Sequence, residues 1–173
     1  KRQPWARRRR RAIPMAKKEM MAEGTLRMFF WAVSILGTPF FLVPAIIYLL
    51  SFNKALAITV IYSIALTQII CTAIKYIYPK ARPIPMPDKT LIQKYMAGSF
   101  PSIHTARITA FLFPIIQFYT NKSFILAALL AISLVGYSRI YLKKHYFTDV
   151  LGGFAIGAII SAARPLSQNY LNF

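Results

Sequence analysis

Long apolar runs constrain the fold of this chain more than any other feature of its sequence. An α-helix needs about 20 apolar residues to cross roughly 30 Å of hydrocarbon. The sequence therefore predicts an all-α integral membrane bundle of about five transmembrane helices. The runs are Met28–Leu50, Leu56–Ile77, Thr105–Tyr119, Phe124–Tyr141 and Val150–Ala163. The third and the fifth are short, and we expect these two helices to extend into the residues that precede them.

The charge of the chain is strongly basic. Its 173 residues include 22 Lys and Arg but only 4 Asp and Glu, which gives a net charge of +18. Nucleic acids and anionic lipids both attract such a chain, and the apolar runs favour the lipid bilayer, so we expect no nucleic-acid partner. Residues 1–27 form a basic tail around Arg7–Arg11. This tail is either disordered or foreign to the native chain, or it anchors the protein to anionic lipids. We expect the functional domain to comprise residues 28–173.

The connections between the apolar runs are unequal. Residues 51–55 and 120–123 are tight turns on one side of the membrane, whereas 78–104 and 138–148 form longer connections on the other side. Prolines between Pro79 and Pro87 predict an extended loop. The pattern of Lys89–Met96 suits a short helix in the interface plane, although an ordinary solvated loop is an equal alternative. On the fifth run, Gly153, Gly157 and Ser161 share one face, which predicts a close-packing seam.

The polar side chains of the longer connections all fall at one end of the predicted bundle. An ionisable residue at membrane depth is a functional-site hypothesis by default. The two histidines of the chain and one of its four acids belong to this group. The candidate residues are Lys75, Arg82, Ser102, His104, Arg139, His145 and Asp149.

These residue types suit phosphoryl transfer. Cationic side chains neutralise a phosphate, and arginine binds it in bidentate geometry. His145 and Asp149 are four residues apart, hence on one helical face, and a carboxylate on one ring nitrogen leaves the other free to act as a nucleophile. His104, from another helix, can protonate the departing oxygen. Together they predict a phosphomonoesterase that uses a phosphohistidine, without a metal or another cofactor.

Simpler interpretations exist for each residue taken alone. A histidine at a helix end usually makes a structural hydrogen bond, lysine and arginine at span ends reach the headgroups, and Ser102 could be a helix N-cap. A zinc site of His104, His145 and Asp149 is conceivable, but three nearby positive side chains oppose a cation. The single Cys71 excludes an internal disulfide and a multi-cysteine metal site, and we expect it to pack in the core.

Three ordered motifs resemble the signatures of the type 2 phosphatidic acid phosphatase (PAP2) superfamily of membrane lipid phosphatases. K-x6-R-P is matched by "KYIYPKARP", P-S-G-H by "PSIH", and S-R-x5-H-x3-D by "SRIYLKKHYFTD". The resemblance implies that His145 is the nucleophile, Asp149 its orienting partner, and His104 the acid and then the base. It implies that the phosphoryl oxygens are held by Lys75, Arg82, Ser102 and Arg139. Ile103 occupies the position where the family usually has glycine. The isoleucine keeps the backbone N–H, but its side chain could narrow the pocket.

The resemblance also implies a location and a substrate class. We expect a multi-pass protein of a bacterial inner membrane with its site facing the periplasm, although nearly all Lys and Arg lie on that side, against the positive-inside rule. The expected partner is a phosphorylated membrane lipid. Lipid A 1-phosphate is the first candidate, and phosphatidylglycerophosphate or undecaprenyl diphosphate is the alternative. An inactive relative that binds anionic lipids is the non-enzymatic alternative. The sequence does not specify an oligomeric state.

Overall fold

The computed structural model describes residues 23–163, and within this range the chain is all-helical. The basic cluster Arg7–Arg11 and the rest of the tail up to residue 22 lie outside the described residues. The helices are α1 (Glu23–Ile35), α2 (Pro39–Phe52), α3 (Lys54–Ile77), α4 (Leu91–Ala97), α5 (Ile103–Phe118), α6 (Lys122–Tyr141) and α7 (Phe147–Ala162). The predicted all-α bundle is confirmed.

The first apolar run is two helices rather than one. α1 and α2 meet at a bend of 43°, so the helix predicted over 28–50 is broken, and it is one span only if the bent pair is counted together. The break follows from Pro39, which occupies the first turn of α2. Proline has no N–H to continue the hydrogen bonds of the preceding helix, and its ring disfavours helical geometry in the residue before it.

Two helices in the described range, α3 and α6, are long and apolar enough to cross a membrane, and the bent pair α1–α2 adds a third if it counts as one span. α5 and α7 are also apolar but have 16 residues each, about 24 Å at 1.5 Å per residue. Both begin earlier than their apolar runs, as predicted. The N-terminus of α5 carries the second motif, and the N-terminus of α7 carries the end of the third. Both helices are shorter than the thickness of the hydrocarbon layer.

The tight turns are fixed by asparagine caps. The Asn53 side chain accepts a hydrogen bond from the Leu56 N–H at 2.9 Å, and Asn121 accepts one from Phe124 at 3.1 Å. Both satisfy N–H groups that a helix start leaves without partners. Of the two alternatives for residues 89–96, the structure has the short helix, α4, which begins at a capping box of Thr90 and Gln93.

α5 lies at the centre of the bundle and packs against α3, α6 and α7. The apolar core is shared between these helices and α2. Its buried members are Leu42, Leu56, Val60, Ile108, Phe111, Ile115, Ile132 and Val135. Many outward-facing side chains are large and apolar, such as Phe40, Ile69 and Leu130, which are 88%, 65% and 54% exposed. Exposed apolar surface on this scale is typical of helices that face lipid.

The close-packing seam predicted on α7 lies against α5. A Cβ atom on Gly153 would come within 2.4 Å of the Ser102 carbonyl oxygen, and one on Gly157 within 2.6 Å of the Ala106 oxygen. Ser161 continues the same face and is buried. The absence of side chains therefore lets α7 approach the backbone of α5, which sets the distance between the second and third motifs.

Candidate active site

The motif residues converge at one end of the bundle. Lys75 and Arg139 lie in the last turns of α3 and α6. His104 and Asp149 lie in the first turns of α5 and α7. A cavity of about 320 Å³ opens between these helix ends and the loop that carries Arg82. Its polar lining consists of Lys75, Arg82, Tyr95, His104, Arg107, Arg139, Lys144 and His145.

Asp149 is the most enclosed charge of the site, with no exposed surface. Its Oδ1 accepts a hydrogen bond from the Lys80 ammonium at 2.6 Å. Its Oδ2 accepts hydrogen bonds from the Ser99 hydroxyl and, at 2.8 Å, from the Tyr146 N–H. A buried carboxylate is tolerated when it is paired in this way. The ionised form at the N-terminus of α7 is also favoured by the helix dipole.

His145 lies in the turn between α6 and α7, two residues before α7 begins. The four-residue spacing predicted that His145 and Asp149 share a helical face, and this prediction was wrong because His145 lies outside α7. The turn still brings them together, because Nδ1 of His145 is 3.7 Å from Oδ2 of Asp149. Nδ1 is buried and has no hydrogen-bond partner among the described residues. Because Nδ1 is buried and faces the Asp149 carboxylate, Nε2 is the ring nitrogen that remains for chemistry.

The electrostatic surroundings of His145 favour its neutral form. Burial is the main cause that lowers the pKa of the imidazole from 6.5 to about 4. The positive charges of Arg82, Arg139 and Lys75 contribute to this decrease, while the Asp149 carboxylate opposes it. A neutral imidazole near pH 7 has the free electron pair that a nucleophile needs.

The cations of the site are poorly neutralised by the protein. Lys75 is 2% exposed and donates to the Gly98 carbonyl oxygen, and Arg82 reaches Lys144 O and Gly98 O only at 3.4 Å. The buried Nε atoms of Arg82 and Arg139 have no partners within residues 23–163. In that range, the carboxylate that forms ion pairs is Asp149, with Lys80 and His145. Buried cations without counter-ions prepare a cavity for an anion.

The residues of the second motif do not all place their side chains in the basic cavity. His104 lines the cavity, but the Ser102 hydroxyl is fully buried and lies 3.0 Å from the Thr105 hydroxyl. Ser102 occupies the N-cap position of α5 without a side-chain cap, and its N–H donates to the Asp149 carbonyl oxygen at 2.8 Å. Ile103 is almost fully buried, lines the cavity, and packs with Cys71 and Ala106.

Sequence reasoning missed four residues here: Lys80, Ser99, Arg107 and Lys144. Lys80 and Ser99 hold Asp149, whereas Arg107 and Lys144 line the cavity. Lys80 lies inside the first motif, whose pattern specifies residues only at its two ends and leaves the six between them open. Arg107 could have been found, because it lies three residues after His104 on the same helix and is a charge within an apolar run.

A family model described as the PAP2 superfamily matches residues 56–173. The chain belongs to this superfamily. The match begins at α3 and includes all three motifs, so the family resemblance stated from the sequence is confirmed. α1 and α2, which precede it, lie outside the matched region.

Relatives of this PAP2 protein include bacterial lipid phosphatases. Phosphatidylglycerophosphatase B of Bacillus subtilis is 35% identical over 85 residues, which cover 43% of this chain and 41% of that protein. Lipid A 4'-phosphatase of Porphyromonas gingivalis is 27% identical over 146 residues, covering 76% and 61%. The chain therefore spans less than two thirds of the length of either relative.

Two crystal structures share the PAP2 fold seen here. LpxE of Aquifex aeolicus superposes with a TM-score of 0.70 at 27% identity, covering 80% of this chain and 84% of that one. A PAP2-type phosphatidylglycerolphosphate phosphatase from Bacillus subtilis gives 0.63 at 24% identity, covering 84% and 76%. The helical bundle is thus the transmembrane PAP2 architecture.

A larger and more apolar cavity adjoins the basic one in this PAP2 protein. It has a volume of about 990 Å³ and lies between α1, the start of α2 and the end of α6. Met28, Trp31, Ile35 and Phe40 form its apolar wall. His104, Arg139 and Lys144 line both cavities, so the basic cavity and the apolar cavity meet at the second and third motifs.

Among residues 23–163, no group of three or more His, Cys, Asp and Glu side chains is arranged to hold a metal ion. The zinc alternative built on His104, His145 and Asp149 therefore has no geometric support. Lys80 already occupies one oxygen of Asp149, and the remaining charges of the cavity are positive.

Proposed function

We propose that this protein is a membrane lipid phosphatase that removes a phosphomonoester from a lipid headgroup through a phosphohistidine at His145. The observation that carries the proposal is the junction of the two cavities. A basic cavity of about 320 Å³ fits a phosphate, and the adjoining apolar cavity of about 990 Å³ suits a lipid chain. A soluble phosphate ester would have no use for the second cavity, whereas a lipid needs both.

In the first half of the proposed reaction, Nε2 of His145 forms a bond to phosphorus as the bond from phosphorus to the lipid oxygen breaks. Lys75, Arg82 and Arg139 bind the phosphoryl oxygens, whose negative charge these buried cations stabilise. His104 gives its proton to the departing lipid oxygen. Asp149 stabilises the positive charge that develops on the His145 ring.

In the second half, His104 takes a proton from water while the water oxygen bonds to phosphorus and the bond from phosphorus to His145 breaks. Inorganic phosphate then leaves.

Ser102 has a supporting role in this proposal. Its buried N–H holds the carbonyl of Asp149, which ties the start of α5 to the start of α7 and keeps His104 and His145 on one cavity.

For the substrate we propose lipid A carrying a 1-phosphate as the first candidate, with phosphatidylglycerophosphate or undecaprenyl diphosphate as the second. Support for the first comes from the similarity to LpxE and to a lipid A 4'-phosphatase. Support for the second comes from the similarity to phosphatidylglycerophosphatase B. We also propose a bacterial inner membrane location with the site facing the periplasm.

The test is phosphate release by the full-length protein in detergent, with lipid A, phosphatidylglycerophosphate and undecaprenyl diphosphate as substrates. The His145→Ala variant is the blank, and its folding is checked by size-exclusion chromatography and circular dichroism. We expect release from at least one lipid by the wild type and none by the variant. A folded wild-type protein that releases phosphate from none of them, yet binds anionic lipid vesicles, would support the inactive lipid-binding relative instead.

A further inference from the structure

Lys80 connects the loop that carries the first motif to the start of α7. Its ammonium donates hydrogen bonds to Asp149 Oδ1 at 2.6 Å and to Thr148 Oγ1 at 2.9 Å. The same ammonium lies 4.8 Å from the centre of the Tyr146 ring, within cation–π distance. At the backbone, the Lys80 carbonyl oxygen accepts a hydrogen bond from the Ser99 N–H at 2.7 Å. All the side-chain contacts of this lysine are therefore made to the segment that follows the proposed nucleophile.

The Asp149 carboxylate is saturated with donors before any charge develops on His145. Lys80 occupies Oδ1, and Oδ2 accepts hydrogen bonds from the Ser99 hydroxyl and the Tyr146 N–H. Nδ1 of His145 stays 3.7 Å from Oδ2, beyond the roughly 3.2 Å reach of an N–H···O hydrogen bond. The side chains of Lys80 and Asp149 are 28% and 0% exposed, so solvent ions screen their attraction only weakly. Much of the negative charge of the carboxylate is thus already neutralised.

This neutralisation acts in opposite directions on the two halves of the proposed reaction. In the first half, Nε2 of His145 bonds to phosphorus and the ring becomes positive, because Nδ1 keeps its proton. In the second half, the water oxygen bonds to phosphorus and a water proton passes to His104. The bond from phosphorus to Nε2 breaks, and its electron pair returns to Nε2, so the positive charge of the ring disappears.

A strongly negative carboxylate beside the ring would make the phosphohistidine too stable. Stabilisation of an intermediate lowers the barrier that leads to it and raises the barrier that leads away from it. Asp149 without a neutralising partner would therefore favour phosphorylation of His145 and slow hydrolysis of the phosphohistidine. The ion pair with Lys80 weakens this stabilisation, because an opposite charge on the carboxylate reduces its attraction for the imidazolium.

We propose that Lys80 is a positioning residue that shortens the lifetime of the phosphohistidine by neutralising Asp149. This inference rests on the proposed function, because it needs the bond from His145 to phosphorus. The lining of the basic cavity does not include Lys80, which instead lines a separate cavity of about 450 Å³ under the same loop. Lys80 therefore acts on the reaction through Asp149 and not on the phosphate. It lies two residues before Arg82, so one loop both binds the phosphoryl oxygens and adjusts the nucleophile.

The test measures the two halves of the reaction separately with the full-length protein in detergent. The substrate is whichever of lipid A, phosphatidylglycerophosphate and undecaprenyl diphosphate the wild type cleaves fastest, labelled in its terminal phosphate. Label on His145 is followed during the first turnover, and a chase of unlabelled lipid then gives the rate constant for decay of the labelled phosphohistidine. This decay is first-order in phosphorylated protein, so the fraction of folded protein does not enter it.

We expect Lys80→Met to slow the decay about tenfold or more, as for loss of a hydrogen bond to a charged group. The rate of label incorporation per folded molecule should not fall. Lys80→Arg keeps the positive charge and should decay near the wild-type rate. Lys80→Gln replaces the charge with a neutral donor, so it should also decay slowly, and it serves if the methionine variant does not fold.

Lys94→Met is the matched control for loss of one positive charge. Lys94 is exposed on α4 and lines the same separate cavity as Lys80. As a surface substitution away from the ion pair, it should leave the decay constant within about twofold of wild type.

Decay at the wild-type rate in the folded Lys80→Met and Lys80→Gln variants overturns the inference. Equal slowing of both halves also overturns it and assigns Lys80 a structural role in holding the loop to α7. Phosphate release by a wild-type protein that never carries label on a histidine overturns both the inference and the proposed phosphohistidine. Release from no lipid at all overturns the proposed function as a whole.

Discussion

The α5–α7 seam makes the geometry of the site sensitive to a single methyl group. Gly153 lies one turn after Asp149, and its backbone faces the Ser102 carbonyl. A Cβ added there would be 2.4 Å from that oxygen, whereas ordinary contacts begin at 3.4 Å. The Gly153→Ala variant must therefore move α7 away from α5 by roughly 1 Å, the difference between the two distances.

That displacement separates the proposed catalytic residues, because Asp149 moves with α7, which follows the turn that carries His145, while His104 stays on α5. A misplacement of about 1 Å at reacting groups costs roughly 100-fold in rate. The same overpacking should destabilise the fold by about 1–3 kcal/mol. We therefore expect kcat to fall about 100-fold, measured as phosphate release per folded molecule in detergent, with a lower midpoint of thermal unfolding.

Two glycines of the same chain provide matched controls. Gly24→Ala makes the same change on α1, where a Cβ would have no neighbour within 4 Å, and it should leave both activity and stability near wild type. Gly157→Ala disturbs the seam two turns beyond Asp149, so it should cost similar stability and less activity. Wild-type activity in a folded Gly153→Ala protein would refute the argument that the seam sets the distance between the motifs.

Three further predictions follow from the site. Because burial lowers the pKa of His145 to about 4, the ring is neutral above that pH and gains a proton below it. After correction for the ionisation of the substrate phosphate near pH 6, kcat/KM should therefore fall on the acid side near pH 4, and a limb near 6.5 would contradict this. Lys80→Met should lower the free energy of unfolding by about 1–3 kcal/mol and reduce kcat, because the Asp149 carboxylate loses the ammonium that lies 2.6 Å away. An unchanged midpoint of thermal unfolding would contradict the role of Lys80 in holding Asp149. Ile103→Gly should lower the free energy of unfolding by about 2–5 kcal/mol, as loss of a buried aliphatic side chain does, and calorimetry measures this change. The kcat per folded molecule should persist, because the backbone N–H remains, and phosphate release measures it.

The sequence predicted the helices well because hydrophobic burial and span length dominate their placement. Each apolar run became helical, and α4 was found from its amphipathic pattern. The break between α1 and α2 was missed because the apolar run Met28–Leu50 was counted as one span, although it contains Pro39 and Pro44. Proline in a first turn and proline inside a helix look alike in sequence, and only the tertiary contacts decide which occurs.

The candidate residues were found from their types and spacing, yet their supporting contacts were not. His145 and Asp149 were expected to share a helical face, and instead a turn brings them within ion-pair distance. Lys80 was overlooked because its partner Asp149 is 69 residues away in the chain. Contacts of this kind depend on how the loop of residues 78–90 folds over the helix ends, and no local periodicity specifies such a path.

Phosphorylation of His145 can be observed in a single-turnover experiment with a lipid labelled in its terminal phosphate. The reaction is quenched in alkali, which preserves phosphohistidine, and the labelled peptide is identified by mass spectrometry. We expect label on His145 that appears before free phosphate and decays as phosphate is released. Label on another residue, or release at the wild-type rate by a folded His145→Ala protein, would contradict it.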